Sequence, residues 1–239
     1  MQKLILKPQM AQTTTNLQLT FNVPELDELF PGLHTGDFAV IYGSQYVTSL
    51  MSQLCVRAHL PTKLGGLESQ AVFIDAATSS SMSSILQAAE LQQLDPQTVM
   101  GQVKTFRAYT AYRLHSLVME KLEQTIKVTN AKLVIISDIM CPFLNDSVDD
   151  QEARTAYNQI MNYLSNFARQ HEIIIVATCP PHESNQRKST LQEITTAKAG
   201  SILRFTKTPY TSEVELEKHP SYMLGVVDFS PENKTLADF

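Results

Sequence analysis

The chain has 239 residues, of which 43% are hydrophobic, and a formal net charge of -5 from 19 Lys and Arg against 24 Asp and Glu. This length predicts one sizeable core and excludes two full domains joined by linkers. The acidic balance excludes a protein that grips nucleic acid mainly through a basic stripe, and the three dispersed cysteines exclude a zinc knuckle or a disulfide framework.

The N-terminal residues 1–20 are polar after a short apolar patch at residues 4–6, and this pattern is typical of an arm or an edge strand. Residues 21–239 are predicted to form a single core domain. We find no apolar run of the length of a signal peptide or a membrane span. The sequence therefore predicts a soluble protein without membrane contact, cytoplasmic, or nuclear if the source is a eukaryote. The histidines show no metal-ligand spacing, so no metal site is predicted.

Strands and helices alternate along the core, which predicts an α/β fold with a mostly parallel sheet, helices on both of its faces and a C-terminal antiparallel β extension. The polar segment 180–198 is predicted to be a long exposed loop. Strands are expected at 38–43, 71–75, 103–106, 133–138, 173–177, 201–205, 214–218 and 225–229. Helices are expected at 24–30, 48–59, 111–128 and 153–170, with a short one after Asp95. A further helix is expected to run to about Glu90, with its N-cap among the serines 79–81.

The first core strand ends in glycine and is followed closely by a helix, which is the arrangement of a phosphate-binding loop. Between Gly43 and the predicted helix start at Thr48 there are only four residues, Ser44, Gln45, Tyr46 and Val47. A working loop needs several glycines, so that backbone amides can face the phosphate, and a lysine for the outer phosphates. Here there is one glycine and no lysine.

Ligands of such folds bind at the carboxyl ends of the strands, so the residues that follow each strand matter most. The second strand ends in Asp75 and is followed by Ala76 and Ala77, with no acid before Glu90. The 133–138 strand ends in Ser137 and Asp138, which point to opposite faces. Cys179 follows the 173–177 strand.

These pieces together resemble the core ATPase domain of the RecA/RadA recombinase family, of the archaeal and eukaryotic type, from about Phe21 to Phe229. The similarity rests on several short matches that occur in family order. They are Leu26-Asp27-Glu28-Leu29, Thr35-Gly36, Thr48 to Leu54, Gly65-Gly66-Leu67, Phe73-Ile74-Asp75, Leu94-Asp95-Pro96, Arg107-Ala108-Tyr109, and Lys132 to Ser137.

The resemblance implies a degenerate nucleotide site. Val47 falls at the family's phosphate-binding lysine, in a loop about two residues short, and Thr48 keeps the magnesium-side hydroxyl. Ala77 falls at the catalytic glutamate, Ser137 at the magnesium-ordering aspartate, and Cys179 at the glutamine that senses the terminal phosphate. We therefore predict that the chain is not an enzyme, with ATP and magnesium binding absent or weak. The site comprises Gly43, Ser44, Gln45, Tyr46, Val47, Thr48, Ala77, Ser137, Asp138 and Cys179.

The resemblance also locates two surfaces. The first DNA-binding loop of the family corresponds to residues 144–151, which are acidic, with only Arg154 nearby. The second falls within 180–198 and carries Arg187 and Lys188, either as a weak DNA or partner contact or as an ordinary solvated loop.

The family's subunit interface corresponds to an edge strand, where Lys104 and Phe106 replace small residues. The family's Phe-x-x-Ala peptide is not visible before residue 21. Lys104 and Phe106 are therefore either an altered subunit interface or edge residues without a special role.

The leading hypothesis is a non-catalytic recombinase paralogue that assists homologous recombination and DNA repair by binding a RadA-type recombinase or another paralogue, with weak or indirect DNA contact. One alternative is a scaffold or regulator outside recombination, similar to the KaiC branch of the superfamily. Another is an ATPase with an unorthodox site that uses Thr48 and Asp138 together with basic groups from a neighbouring subunit.

Overall fold

The computed structural model describes residues 17–77, 81–145, 148–180, 185–208 and 210–229. The strands in these ranges are β1 Gln18–Leu19, β2 Leu33–His34, β3 Phe38–Gly43, β4 Ala71–Asp75, β5 Val103–Arg107, β6 Leu133–Ser137, β7 Ile174–Cys179, β8 Ser201–Lys207, β9 Ser212–Lys218 and β10 Gly225–Asp228. The helices are α1 Pro24–Leu29, α2 Tyr46–Arg57, α3 Ser81–Leu91, α4 Pro96–Gln102, α5 Ala111–Ser116, α6 Leu122–Thr129, α7 Asp150–His171 and α8 Gln186–Lys198.

Eight of these strands form one mixed sheet in the order β10-β9-β8-β3-β7-β6-β4-β5. All neighbours from β8 to β5 are parallel, whereas β8, β9 and β10 form an antiparallel meander. The central strands are buried on both faces, as their continuous apolar sequences require. The predicted fold class is confirmed.

Helices cover the sheet on two sides, and each side has its own apolar cluster. Side chains of α1 to α4 pack on one face, in a cluster that includes Leu50 and Ile85. Side chains of α5 to α8 pack on the other, around Leu114 and Leu164. None of the helices that the structure describes is long and apolar enough to cross a membrane.

The predicted exposed loop at 180–198 is wrong for residues 186–198, which form α8. The Asn185 side chain caps this helix by accepting hydrogen bonds from the amides of Arg187 and Lys188. Its buried face is largely polar, and Thr195 contacts the hydroxyl of Tyr157 on α7 at 2.6 Å. An apolar periodicity could not reveal such a helix. Residues 181–184 lie outside the described residues.

Part of the predicted N-terminal arm belongs to the packed domain. β1 pairs with β2, Leu19 is fully buried, and the buried Arg57 side chain donates to the carbonyl and the hydroxyl of Thr20. The packed domain therefore includes residues 17–20, while the apolar patch at 4–6 lies outside the described residues. Two smaller differences concern helices: α2 begins at Tyr46 rather than Thr48, and a π-helical turn at Leu117–Lys121 separates α5 from α6.

Candidate functional site

The turn between β3 and α2 is shorter than the glycine-rich P-loop that surrounds a phosphate. Ser44 and Gln45 are the only residues between the strand and the helix. The Ser44 amide donates to the carbonyl oxygen of Phe205 on β8 at 2.8 Å. The amides of Val47 and Thr48 donate to the carbonyls of Ser44 and Gln45, at 3.1 and 3.2 Å. Three amides that a phosphate-binding loop would turn toward its ligand are thus hydrogen-bonded within the protein.

Gly43 is explained by a close approach of backbone rather than by a ligand. Its φ is 119°, a conformation that side chains rarely adopt, and a Cβ there would overlap the carbonyl oxygen of Phe205. β8 runs beside β3 with Gly43 opposite Phe205. The glycine therefore permits the contact between β3 and β8.

Val47 and Thr48, which are predicted to occupy the positions of the family's lysine and threonine, have different surroundings. Val47 is buried in the apolar cluster beneath α2, so its side chain points into the core. Thr48 is exposed on the first turn of α2. The Thr48 side chain is thus accessible to solvent, whereas the Val47 side chain faces the core.

Tyr46 closes the turn with aromatic packing. Its ring centroid lies 5.6 Å from that of Phe205 and 5.1 Å from that of Phe229. Burial raises the pKa of Tyr46 to about 12, and Asp27 and Glu25 contribute to the increase. A cavity of about 530 Å³ opens beside this ring, lined by Ser44, Gln45, Tyr46, Lys207 and Ser212.

The ends of β4 and β6 are joined by a side-chain hydrogen bond. The Ser137 hydroxyl donates to Oδ1 of the buried Asp75 at 3.1 Å, and the Ala77 amide donates to the same oxygen at 3.2 Å. Asp138 follows with φ 47°, and its amide donates to the Thr178 hydroxyl at 2.8 Å. Burial raises the pKa of Asp138, and the nearby Asp75 adds to this effect.

Cys179 lies at the end of β7, between the two halves of the predicted site. It is opposite Tyr42 in the β3–β7 register. Burial raises the pKa of its thiol to about 12, with a further contribution from Asp138. The structure therefore gathers the predicted residues at the carboxyl ends of the parallel strands. Ala77 and Ser137 lie near Asp75, and Cys179 lies near Asp138. Among the described residues, no group of three His, Cys, Asp or Glu side chains is placed to hold a metal ion.

A polar network beside the turn was missed by the sequence analysis. The Tyr42 hydroxyl donates to both carboxylate oxygens of Glu217, at 2.7 and 2.9 Å. Arg204 on β8 pairs with Glu217 at 3.0 Å and with Glu215. Burial, reinforced by the hydrogen bond to Glu217, raises the pKa of Tyr42. The alternation of glutamates along β9 was visible in the sequence. Their partners Tyr42 and Arg204 could not be inferred from it, because they become neighbours only through the strand order β3-β8-β9.

The three basic residues of the predicted DNA or partner surface are not equivalent. Arg154 is exposed on α7. Arg187 and Lys188 occupy the first turn of α8, where Lys188 is only 5% exposed. Arg187 pairs with Asp150 at 3.1 Å and donates to the carbonyl of Val148 at 2.7 Å. The expectation that these two cations lie in an exposed loop is therefore wrong, and Arg187 neutralises part of the acidic segment.

The predicted subunit interface lies on β5, at one end of the large sheet. Lys104 is exposed, and its Nζ lies 6.0 Å from the centroid of the partly buried Phe106 ring. The two side chains share one face of the strand, since they are two residues apart. Their role as an interface stays a prediction.

Residues 12–203 match the profile of the Rad51 family. The chain is 32% identical over 130 residues to DNA repair protein RAD51 homolog B of Zea mays, a match that covers 53% of this chain and 38% of that protein. It is 28% identical over 163 residues to DNA repair and recombination protein RadA of Aeropyrum pernix, covering 67% of this chain and 51% of the relative. DNA repair protein RAD51 homolog 1 of Arabidopsis thaliana is 32% identical over 130 residues, a match that covers 53% of this chain and 38% of that protein.

The matched region thus spans between 38% and 51% of the length of these relatives. The profile match runs through most of the chain, from residue 12 into β8, and the sheet has the predicted RecA-like arrangement. The chain belongs to the Rad51 family of recombination and repair proteins.

Proposed function

We propose that this chain is a non-catalytic Rad51-family protein that acts as an accessory subunit in homologous recombination and repair, by binding another RecA-family protein. DNA contact is weak or indirect, because the segment before α7 is acidic and Arg187 is engaged with Asp150. Its biological role then resides in the surfaces of the core.

The observation that carries the proposal is the β3–α2 turn. Its Ser44 amide is bonded to β8, and Val47 is buried where the family has a lysine. Phosphate binding by such turns depends on free amides and a positive charge, so this turn lacks the main sources of affinity. The hydrogen bond between Ser137 and Asp75, and Ala77 in place of the expected glutamate, are also in keeping with lost hydrolysis.

Calorimetric titration of the full chain with ATP and Mg²⁺ tests this proposal. We expect no saturable heat up to millimolar nucleotide, and no phosphate release above the protein-free background. Thr48→Ala is expected to leave both results unchanged, because in the absence of bound nucleotide the Thr48 hydroxyl has no ligand to contact. Micromolar binding that is lost in Thr48→Ala would contradict the proposal and support the unorthodox ATPase instead.

The partner-binding part of the proposal is assigned to the β5 edge. Binding to a RadA-type recombinase from the same source, measured by size-exclusion chromatography and calorimetry, is expected to weaken at least about tenfold in Lys104→Glu/Phe106→Ala. Lys63→Glu, a charge reversal at an exposed residue distant in sequence, serves as the control and retains full affinity. Equal affinities for both variants would place the contact elsewhere, and absence of binding by the unmodified chain would reject this partner class.

A further inference from the structure

Exposed apolar side chains are concentrated at the start of β10. Met223, Leu224 and Val226 are 89%, 58% and 55% exposed. Single apolar residues at a surface are ordinary, whereas contiguous ones mark sites of interaction. β10 is also the last strand at its end of the large sheet, so among the described residues its outer backbone groups face no other strand. We call residues 223–228 the β10 edge.

Negative charge without a counter-ion lies beside this patch. In the β10–β9 register, Val226 is opposite Glu215 and Asp228 is opposite Glu213. Arg204 pairs with Glu215, but within the described part of the chain no cation forms an ion pair with Glu213 or Asp228. Two carboxylates directly across from each other destabilise a strand pair. A positively charged partner at this edge therefore relieves a repulsion that the chain carries by itself.

The helix that packs on β10 is acidic as well. A Cβ at Gly225 would lie 3.2 Å from Cδ1 of Leu29, the last residue of α1, so this helix contacts the strand. The charged residues of α1 are all acidic. Both β9 and α1 thus surround the β10 edge with negative charge.

The lysines of β8 and β9 are directed away from this edge. Lys218 donates to the Thr196 carbonyl near the end of α8 at 2.6 Å, and Lys207 lines the cavity beside Tyr46. At the opposite end of the sheet, β5 carries exposed cations. Charge is therefore separated along the sheet, and a basic partner is attracted to the β10 edge and not to β5.

We propose that the β10 edge docks an extended segment of a second protein, with an aliphatic residue and a Lys or Arg two positions apart. Such a segment pairs with β10 through its backbone, which is a common mode of peptide recognition. Val226 and Asp228 are two positions apart on one face, so the facing residues of the segment have the same spacing. The aliphatic residue covers Val226, and the cation lies between Asp228 and Glu213.

Other occupants fit this edge less well. Pairing of β10 with β10 of a second copy brings Asp228 and Glu213 of both copies together, which is unfavourable. Nucleic acid is repelled by the same carboxylates. The site lies at the far end of the sheet from the contact proposed for β5, so it goes beyond that contact and does not depend on it.

Fluorescence anisotropy of a labelled synthetic peptide with the full chain tests the proposal. The probe acetyl-Thr-Lys-Thr-Val-Thr-Lys-Thr-amide presents both lysines and the valine on one face, in a pattern that is the same in either strand direction. The control peptide acetyl-Thr-Lys-Val-Thr-Thr-Lys-Thr-amide has the same composition, but its valine lies on the face opposite to the lysines. We expect the probe to bind with a Kd below about 1 mM, at least about tenfold more tightly than the control peptide.

Charge reversal of the chain identifies the edge that is used. Glu213→Lys/Asp228→Lys is expected to weaken binding of the probe at least about tenfold, and to gain binding of a peptide whose two lysines are glutamates. The matched control Glu90→Lys/Glu120→Lys changes the net charge equally at two exposed residues of other elements and keeps the original affinity. Thermal unfolding of each variant verifies that the core is intact.

Hydrogen exchange gives the location of the bound probe. We expect the probe to slow exchange of the amides of residues 225–228 and to leave those of residues 103–107 unchanged. Protection of residues 103–107 instead would overturn the assignment. So would equal affinities for the two peptides, equal losses in both charge-reversal variants, or no binding of the probe up to about 1 mM.

Sedimentation velocity of the chain without peptide separates a second copy from another protein. We expect a monomer, both for the unmodified chain and for Glu213→Lys/Asp228→Lys. Self-association of the unmodified chain that disappears in this variant would show that the edge is occupied by a second copy, and would overturn the proposal.

Discussion

Gly43→Ala lowers the free energy of unfolding by about 3–5 kcal/mol, as measured by urea denaturation. The added Cβ overlaps the Phe205 carbonyl oxygen, and the φ of 119° is strained for alanine. To remove this overlap, β8 has to move away from β3. This movement also weakens the hydrogen bond from the Ser44 amide to the Phe205 carbonyl. Because β8 connects the parallel strands to the meander, the strain falls on the centre of the sheet.

Gly101→Ala is the matched control for this substitution. Gly101 lies in α4, and a Cβ there meets no atom within 4 Å. Alanine favours helix over glycine, so this variant is expected to be as stable as the unmodified chain, or up to about 1 kcal/mol more stable. A Gly43→Ala protein within about 1 kcal/mol of the original would show that β3 and β8 do not approach so closely.

Arg57→Ala lowers the free energy of unfolding by a similar amount, about 3–5 kcal/mol. The buried guanidinium donates to the Thr20 carbonyl at 2.8 Å, to the Thr20 hydroxyl at 2.7 Å and to the Leu64 carbonyl at 2.8 Å. Burial lowers the pKa of Arg57, while the carboxylate of Asp27 opposes this change. Alanine leaves these carbonyls without their donor and Asp27 without its nearby cation.

The control for Arg57 is Arg154→Ala, an exposed arginine in the interior of α7. We expect a change within about 0.5 kcal/mol in urea denaturation. Hydrogen exchange gives a second readout, since Arg57→Ala is expected to speed exchange at residues 17–20 more than elsewhere. Uniform acceleration over the whole chain would indicate that Arg57 is not a local anchor of the N-terminal segment.

The central strands of the parallel sheet were predictable because their residues are nearly all apolar, as expected of strands buried on both faces. The apolar sequences of β6 and β7 illustrate this. Because the two strands are parallel, Ser137 and Cys179 both lie at their carboxyl ends, on the same side of the sheet. The helix α8 was not predictable in this way. Its buried face includes Lys188, Gln192 and Thr195, and polar residues become core residues only when partners such as Tyr157 are present.

The candidate site was predictable as a set of residues but not as a set of contacts. The shortness of the turn after Gly43 follows from the sequence, whereas the bond from the Ser44 amide to Phe205 joins residues far apart in the chain. The same holds for Tyr42 and Glu217, which are separated by 175 positions. Such contacts depend on which strands are neighbours, and local periodicity contains no information on strand order.

The bond between the Ser44 amide and β8 makes the turn after Gly43 resistant to change. A lysine introduced by Val47→Lys places its ammonium group in an apolar cluster, where the charge is costly. Lengthening the turn alone has to break the contact with Phe205 and displace the ring of Tyr46. Each step toward a phosphate-binding loop is disadvantageous by itself. Descendants of this chain are therefore expected to diversify at their edges and surfaces while this turn stays as it is.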